Sequence, residues 1–358
     1  MIADFDRYPL TIVVGSGGVG KTTLAAAMGL NAASQGQNTL VMTFDPSMRL
    51  KDTLGVGEEA RDKEVRVATD TPGSLHASIL DARATFNRLV ERYAPDELSR
   101  RRILNNHFYN HLAGSLAGIL EYMAVERLYE VWVEKRYDRI ILDTPPTSQA
   151  LDFLEAPERI VGFLDSGALR IALKPWFDAE GHIKGTTRLG FLGKRLEDFL
   201  DRMVGLGLLR DMAEFFQAFG PLFEGFRGRA VEVQRLLQAK ETLFVLVSGP
   251  GEERIPDTMF FARRLEETGH NLGPVIVNRV HPMIGPDLPR SVGGDTARRA
   301  YELLRWLGER DARGIEQLRS LLPDQFLKPV PLMPIAPTDL ASLELLGADV
   351  LRTEAAEP

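Results

Sequence analysis

The sequence predicts an α/β fold: a doubly wound, mostly parallel sheet with a helical insertion subdomain. Three observations predict it. Short apolar runs recur near residues 10, 39, 140, 245, 275 and 330, each bounded by Gly, Pro, Asp or Asn. Strand, helix and strand follow one another within the first 44 residues, which implies a parallel pair joined by a crossover helix. One long tract, 158–238, is helical throughout and delays the return of the chain to the sheet.

The elements follow in order. Leu10-Thr11-Ile12-Val13-Val14 is a β-branched run ending at Gly15, a buried strand. An alanine-rich stretch from Lys21 to Ser34 favours helix, and Gln35-Gly36-Gln37-Asn38 stops it. Thr39 to Phe44 is a second strand, ending at Asp45-Pro46. Residues 74–137 show no strand alternation and read as helices with a break at Pro95. Arg139-Ile140-Ile141-Leu142 is a strand that ends at Asp143. Further strands are expected at Leu243–Val247, at Pro274–Val277 and through Val330 between Pro329 and Pro331. Leu340 to Leu351 is a closing helix, and 352–358 a frayed tail. The expected organisation is therefore a core of 1–157 and 239–351 with the insertion at 158–238.

Composition narrows the function. The 358 residues carry 44% hydrophobic and 26% charged side chains, so most of the chain can build a packed core. The net charge of −7 argues against a grip on nucleic acid, which calls for a basic surplus. No cysteine is present, which removes disulfides, thiolate nucleophiles, iron–sulfur clusters and Cys-based zinc sites. The start, with Asp4, Asp6 and Arg7 before any apolar run, lacks the pattern of a signal peptide. No stretch reaches the ~18 apolar residues of a membrane span, so the expectation is a cytoplasmic protein without direct membrane insertion.

Gly15-x-x-x-x-Gly20-Lys21-Thr22 matches the P-loop pattern in full, between a strand and a helix. Glycines let successive backbone N–H groups turn toward phosphate oxygens, and the helix that follows adds its positive end. Lys21 supplies an ammonium to the phosphates, and Thr22 offers a hydroxyl to Mg²⁺. A lysine here is notable because the chain holds only nine, against 34 arginines. Asp143 ends a strand, as an acid that holds Mg²⁺ through water should, although a helix N-cap is the competing reading. Gly15, Asp45 and Asp143 all fall at carboxyl ends of strands, where ligands bind in parallel sheets. No second such loop occurs, so one nucleotide site per chain is expected, in a P-loop NTPase fold.

Gly15-Ser16-Gly17-Gly18-Val19-Gly20-Lys21-Thr22-Thr23 resembles the deviant P-loop of the MinD/ArsA class. Asp45-Pro46-Ser47-Met48-Arg49-Leu50 looks like its switch I, and Asp143-Thr144-Pro145-Pro146-Thr147 like the switch II of arsenical-pump and guided-entry ATPases. Asn278 stands where that family has an adenine-contacting Asn, and Pro329-Val330-Pro331-Leu332 resembles its adenine-side loop. The chain thus resembles an ArsA/GET-type ATPase of the single-half bacterial kind. The resemblance implies that Gly17, Gly18, Val19, Gly20, Lys21, Thr22 and Thr23 cradle the phosphates of ATP or ADP. It puts Thr22, Asp45 and Asp143 about the magnesium, with Asp45 acting on the attacking water. Asn278 and Pro331 would hold adenine. It further implies a nucleotide-gated dimer, either a homodimer or a heterodimer with a paralogue.

Two departures stand out. The family's signature lysine falls at position 16, where this chain has Ser16, a residue that cannot neutralise developing charge. The arsenite-binding thiolates and zinc-bridging CxxC pair of some relatives cannot exist in a chain without cysteine.

The insertion is rich in Phe: nine of 18 lie between Phe163 and Phe226. Phe191, Leu192, Leu196, Phe199, Leu200, Met203 and Val204 recur at helical spacing, as do Phe215, Phe216, Phe219, Leu222, Phe223 and Phe226. Such stripes are either core or a groove for an apolar client helix of a membrane-protein partner. His107 and His111 lack the acidic pattern of a metal site, and Arg100-Arg101-Arg102 reads as a solvated helix face. The closing helix has acids at its flanks and is no basic membrane anchor. The leading expectation is a Mg-ATP-dependent ATPase switch. The alternatives are a regulatory or heterodimer subunit, motivated by Ser16, and a P-loop kinase or ligase for a small metabolite, against which the Phe-rich insertion argues.

Overall fold

The computed structural model describes residues 5, 7–44, 49–107, 109, 119–145, 148–165, 211, 214–215, 218–286 and 294–351. Eight strands among them form a single sheet. They are β1 (Leu10–Gly15), β2 (Asn38–Thr43), β3 (Val65–Arg66), β4 (Ser74–Ile79), β5 (Arg139–Asp143), β6 (Thr242–Ser248), β7 (Leu272–Val280) and β8 (Leu327–Pro331). Their order across the sheet is β3-β4-β2-β5-β1-β6-β7-β8. All neighbours run parallel except β3, which is antiparallel to β4. The α/β class read from the apolar runs is therefore the observed one.

The centre of the sheet explains its sequence. Every residue of β1, β5 and β6 is buried, as expected of strands covered on both faces. The connecting helix α1 (Lys21–Ser34) is nearly all Ala, Leu, Met and Gly on its buried surface, small enough to lie close to the strands. Its Leu24, Ala27 and Met28 join Val13, Val41, Ile141 and Val245 in one core. The prolines of β8 sit on an edge strand, where a missing N–H leaves no gap in the interior of the ladder.

Residues 74–79 correct the expectation that 74–137 is helical. Ser74–Ile79 is strand β4, in register with β2 from Asn38↔Ser74 to Thr43↔Ile79. Its apolar residues Leu75, Ala77 and Ile79 do alternate, but His76 and Ser78 between them weaken the signal.

Two compact units are present. The first comprises residues up to Leu80, Glu130–Leu151 and those from Leu236 onward, and contains the whole sheet. The second comprises Asp81–Tyr129 and Asp152–Arg235, so it draws on the segment after β4 as well as on the tract expected as an insertion. The other described α-helices are α2 (Arg49–Leu54), α3 (Ala82–Tyr93), α4 (Glu97–Leu104), α5 (Ile119–Glu134), α6 (Ser148–Asp165), α7 (Phe223–Leu237), α8 (Ile255–Glu267), α9 (Asp295–Leu321) and α10 (Leu340–Leu351), with short 3-10 turns at Glu58–Ala60, Gly220–Leu222 and Glu252–Arg254. Asp81 and Asp96 cap α3 and α4 by accepting from Ala84 N at 3.0 Å and Ser99 N at 2.7 Å. Between them the chain leaves helix at Ala94, as the residue before Pro95 should.

In the second unit Phe86, Tyr109, Phe215, Phe219 and Phe226 form a buried aromatic stack, with Phe86 and Tyr109 centroids 4.6 Å apart. The described part of the second Phe stripe is therefore core. The first stripe, 191–204, lies outside the described residues. Arg229 pairs with buried Glu126, and Tyr122 donates to the same carboxylate at 2.9 Å. The basic run of α4 is a solvated face on which Arg100 and Arg101 both pair with Glu97.

Candidate functional site

The carboxyl ends of β1, β2, β5, β6 and β7 share one edge of the sheet, and the glycine loop lies there. Register lines up Gly15 with Val247, and Asp143 with both Val13 and Thr43. Gly15 has φ 144, and a Cβ on it would lie 2.0 Å from the Val247 carbonyl oxygen, so only glycine can end β1 against β6. Gly20 has φ 95 and would bring a Cβ within 2.5 Å of Asn278 Nδ2. Between the two, Val19 buries its side chain in the core and so staples the loop down.

The loop suits an anion. Helix α1 starts with no side-chain cap and no acidic residue in its first turn. The amides of Gly17, Gly18, Val19 and Gly20 donate to no acceptor among the described residues. Lys21, also buried, folds its ammonium into the loop, donating to Gly15 O at 3.0 Å and Ser16 O at 2.9 Å. Backbone donors, a positive helix end and an ammonium thus converge on one small volume, the chemistry a polyphosphate requires.

Beside it lies a carboxylate held by two threonines. Asp143 is fully buried, and its Oδ2 accepts from Thr22 Oγ1 at 2.7 Å and from Thr43 Oγ1 at 2.9 Å. A hydroxyl has one hydrogen and two lone pairs. With its hydrogen directed to Asp143, the Thr22 oxygen presents its lone pairs elsewhere, which fits a hard divalent cation. Thr144 donates to Val13 O at 2.8 Å and ties the segment after β5 to β1. Thr43 was not singled out from sequence. Its hydroxyl reaches Asp143 only through the β2–β5 register.

The far side of the loop is held by β7. Asn278 Nδ2 donates to Val19 O at 2.8 Å, and Asn278 Oδ1 accepts from the Arg279 amide at 3.0 Å. Its amide group thus braces the loop while keeping capacity for one more donor and one more acceptor contact. Arg279 donates from Nη1 to Gly18 O at 3.1 Å. Its φ of 63 is in the left-handed region, at a cost on the order of 1 kcal/mol for a non-glycine residue. Pro331 pairs with Val280 at the end of β8, next in line along that edge. Arg279 escaped the sequence reading because no turn residue announces its backbone.

Ser16 is buried, and its Oγ donates to Asp257 Oδ2 at 3.0 Å in the first turn of α8. The residue at the signature position is thereby committed to its own chain. Asp45, Pro46, Pro146 and Thr147 lie outside the described residues, as does His111. Among the described residues no cluster of His, Asp or Glu is arranged as a metal site by itself. No described helix is long and apolar enough to cross a membrane.

Strand, glycine loop, lysine and helix, with an acid on the neighbouring strand, are the arrangement of the P-loop NTPase fold. Comparison with known proteins narrows this class: the family model described as "Anion-transporting ATPase" matches residues 9–287. The chain belongs to this anion-transporting ATPase family. It is 26% identical over 273 residues to "Putative arsenical pump-driving ATPase 1" of Aquifex aeolicus, covering 75% of this chain and 62% of that protein. It is 30% identical over 176 residues to "Putative arsenical pump-driving ATPase" of Halobacterium salinarum, covering 45% of this chain and 26% of that protein. It is 28% identical over 180 residues to "ATPase get3" of Schizosaccharomyces pombe, covering 48% of this chain and 51% of that protein. In each case the match spans less than two thirds of the relative's own length.

Proposed function

We propose that this protein binds and hydrolyses Mg-ATP at the loop 15–23, as a nucleotide-operated switch. The observation that carries the reading is the meeting of three features at one sheet edge. They are loop amides without acceptors among the described residues, the buried Lys21 ammonium, and the Thr22–Asp143 pair. Lys21 would exchange its bonds to the Gly15 and Ser16 carbonyls for phosphate oxygens. Thr22 would hold magnesium, with Asp143 orienting its hydroxyl and Asp45 completing the oxygen set. Magnesium, when bound, supplies positive charge to the phosphate oxygens. Asp45 would also orient the attacking water and accept its proton. Asn278 and Pro331 would flank adenine, using the capacity that remains on the Asn278 amide.

Two copies, or this chain and a paralogue, close on nucleotide, and the helical unit passes that change to an apolar client or membrane-protein partner. Family membership and the apolar, helically spaced sequence of 191–204 support it. The protein works in the cytoplasm. A second reading, a regulatory subunit with weak intrinsic hydrolysis, is favoured by one contact: Ser16 is engaged by Asp257 of its own chain and brings no cation.

Titration calorimetry and steady-state hydrolysis test the main reading together. Lys21→Ala is expected to weaken ATP binding at least ~100-fold, since it removes a charged partner of the phosphates. Asp45→Asn is expected to spare binding and stop turnover. Unaltered ATP binding by Lys21→Ala would exclude the loop as the site.

A further inference from the structure

Arg279 occupies an unusual backbone position with no side-chain explanation of its own. Strands β7 and β8 pair at Asn278↔Val330 and again at Val280↔Pro331, with the register shifting between them. Arg279 is the extra residue of that bulge, and it carries φ 63. Bulges re-aim a side chain, and they gather next to functional sites. Both flanks are fixed. Leu332 N donates to Val280 O at 2.8 Å, and His281 N donates to buried Asp311 at 2.9 Å. Arg279 is exposed and makes no ion pair among the described residues. Its side chain donates from Nη1 to Gly18 O at 3.1 Å.

The consequence follows from peptide geometry. In a planar trans peptide the C=O of one residue and the N–H of the next point in opposite directions. Arg279 draws the Gly18 carbonyl toward β7, so the Val19 N–H points away from β7. Asn278 does the same to the Val19 carbonyl, so the Gly20 N–H points away as well. These are two of the loop donors that have no acceptor among the described residues.

We infer that Arg279 is a positioning residue for nucleotide binding: by holding the Gly18 carbonyl it aims the Val19 amide at the phosphates, next to the Gly20 amide aimed by Asn278. The inference rests on the proposed nucleotide site and deepens it. P-loop amides cradle the α and β phosphates, which ADP and ATP share. Loss of Arg279 must therefore weaken both nucleotides by the same factor.

The test is the affinity of the full chain for fluorescent ADP and ATP analogues, with thermal unfolding measured alongside. Arg279→Gly accepts the left-handed backbone and removes only the side chain. It is expected to weaken ADP and ATP equally, by about ten-fold, the usual scale for a charged hydrogen bond, without lowering the unfolding temperature. Arg279→Asn, which tolerates the same backbone but is too short to reach Gly18, is expected to repeat the loss. Arg279→Lys is expected to recover most of it. Wild-type affinity in both Arg279→Gly and Arg279→Asn would overturn the inference. A loss confined to ATP would also overturn it, in favour of a direct contact with the γ-phosphate. If the wild-type chain binds neither nucleotide while folded, the proposed function itself fails.

Discussion

Asp143 is the residue on which most of the site turns, because one of its oxygens accepts from two hydroxyls on different elements. Thr22 brings the loop and helix α1, and Thr43 brings β2. Only Thr22 also belongs to the glycine loop proposed to hold phosphate, so the two threonines should behave differently. Thr22→Ala is expected to lower ATP affinity by about ten-fold or more in magnesium, the scale of a lost charge-assisted contact, and to change it little in chelator. A titration with and without magnesium checks this, and an equal loss in both conditions would remove Thr22 from the cation. At this scale the legible residues were those whose spacing is itself the chemistry: Gly15, Gly20, Lys21, Thr22 and the strand-ending Asp143. Thr43 and Arg279 were not legible. The role of Thr43 depends on strand register, and that of Arg279 on a bulge at a residue type that seldom adopts a left-handed backbone.

The elements show the same division. Strands β1, β5 and β6 announced themselves because burial on both faces demands continuous apolar runs. Strand β4 did not, since its period-2 signal rests on Leu75, Ala77 and Ile79 with polar residues between. The turn into β7 carries a pH dependence of its own. His270 is buried with its ring edge-on to Phe244 at 4.9 Å, and Nδ1 shares a hydrogen with Thr268 Oγ1 at 2.6 Å. Burial lowers its pKa from 6.5 to about 4. The unfolded chain therefore takes up this proton first as the solution is acidified. The contribution of the neutral ring is fully present above 6.5 and is lost as pH falls toward about 4. Urea unfolding at about pH 7 and about pH 5 should show a loss on the order of 2 kcal/mol from this group alone. His270→Gln should lack that component. Identical pH dependence in the two proteins would show that the ring does not stay neutral in the fold.

For the molecule as a whole, the α/β architecture was readable because alternation of strand and helix leaves few topologies open. The makeup of the helical unit was less so. Its core joins Phe86 and Tyr109 to Phe215, Phe219 and Phe226 across more than a hundred residues of sequence. Stripe spacing alone cannot distinguish such a core from a client groove. The same holds for assembly. Ser16 carries no charge and bonds to Asp257 within its own chain, so in the proposed dimer position 16 would supply no cation to catalysis. Steady-state Mg-ATP hydrolysis by the purified chain, measured across a wide range of its own concentration, is the most direct test. Specific activity is expected to rise with concentration to a plateau, and Lys21→Ala is expected to abolish it. Hydrolysis absent at every concentration, from a chain that still binds ATP, would contradict the self-sufficient ATPase and leave the regulatory subunit in its place.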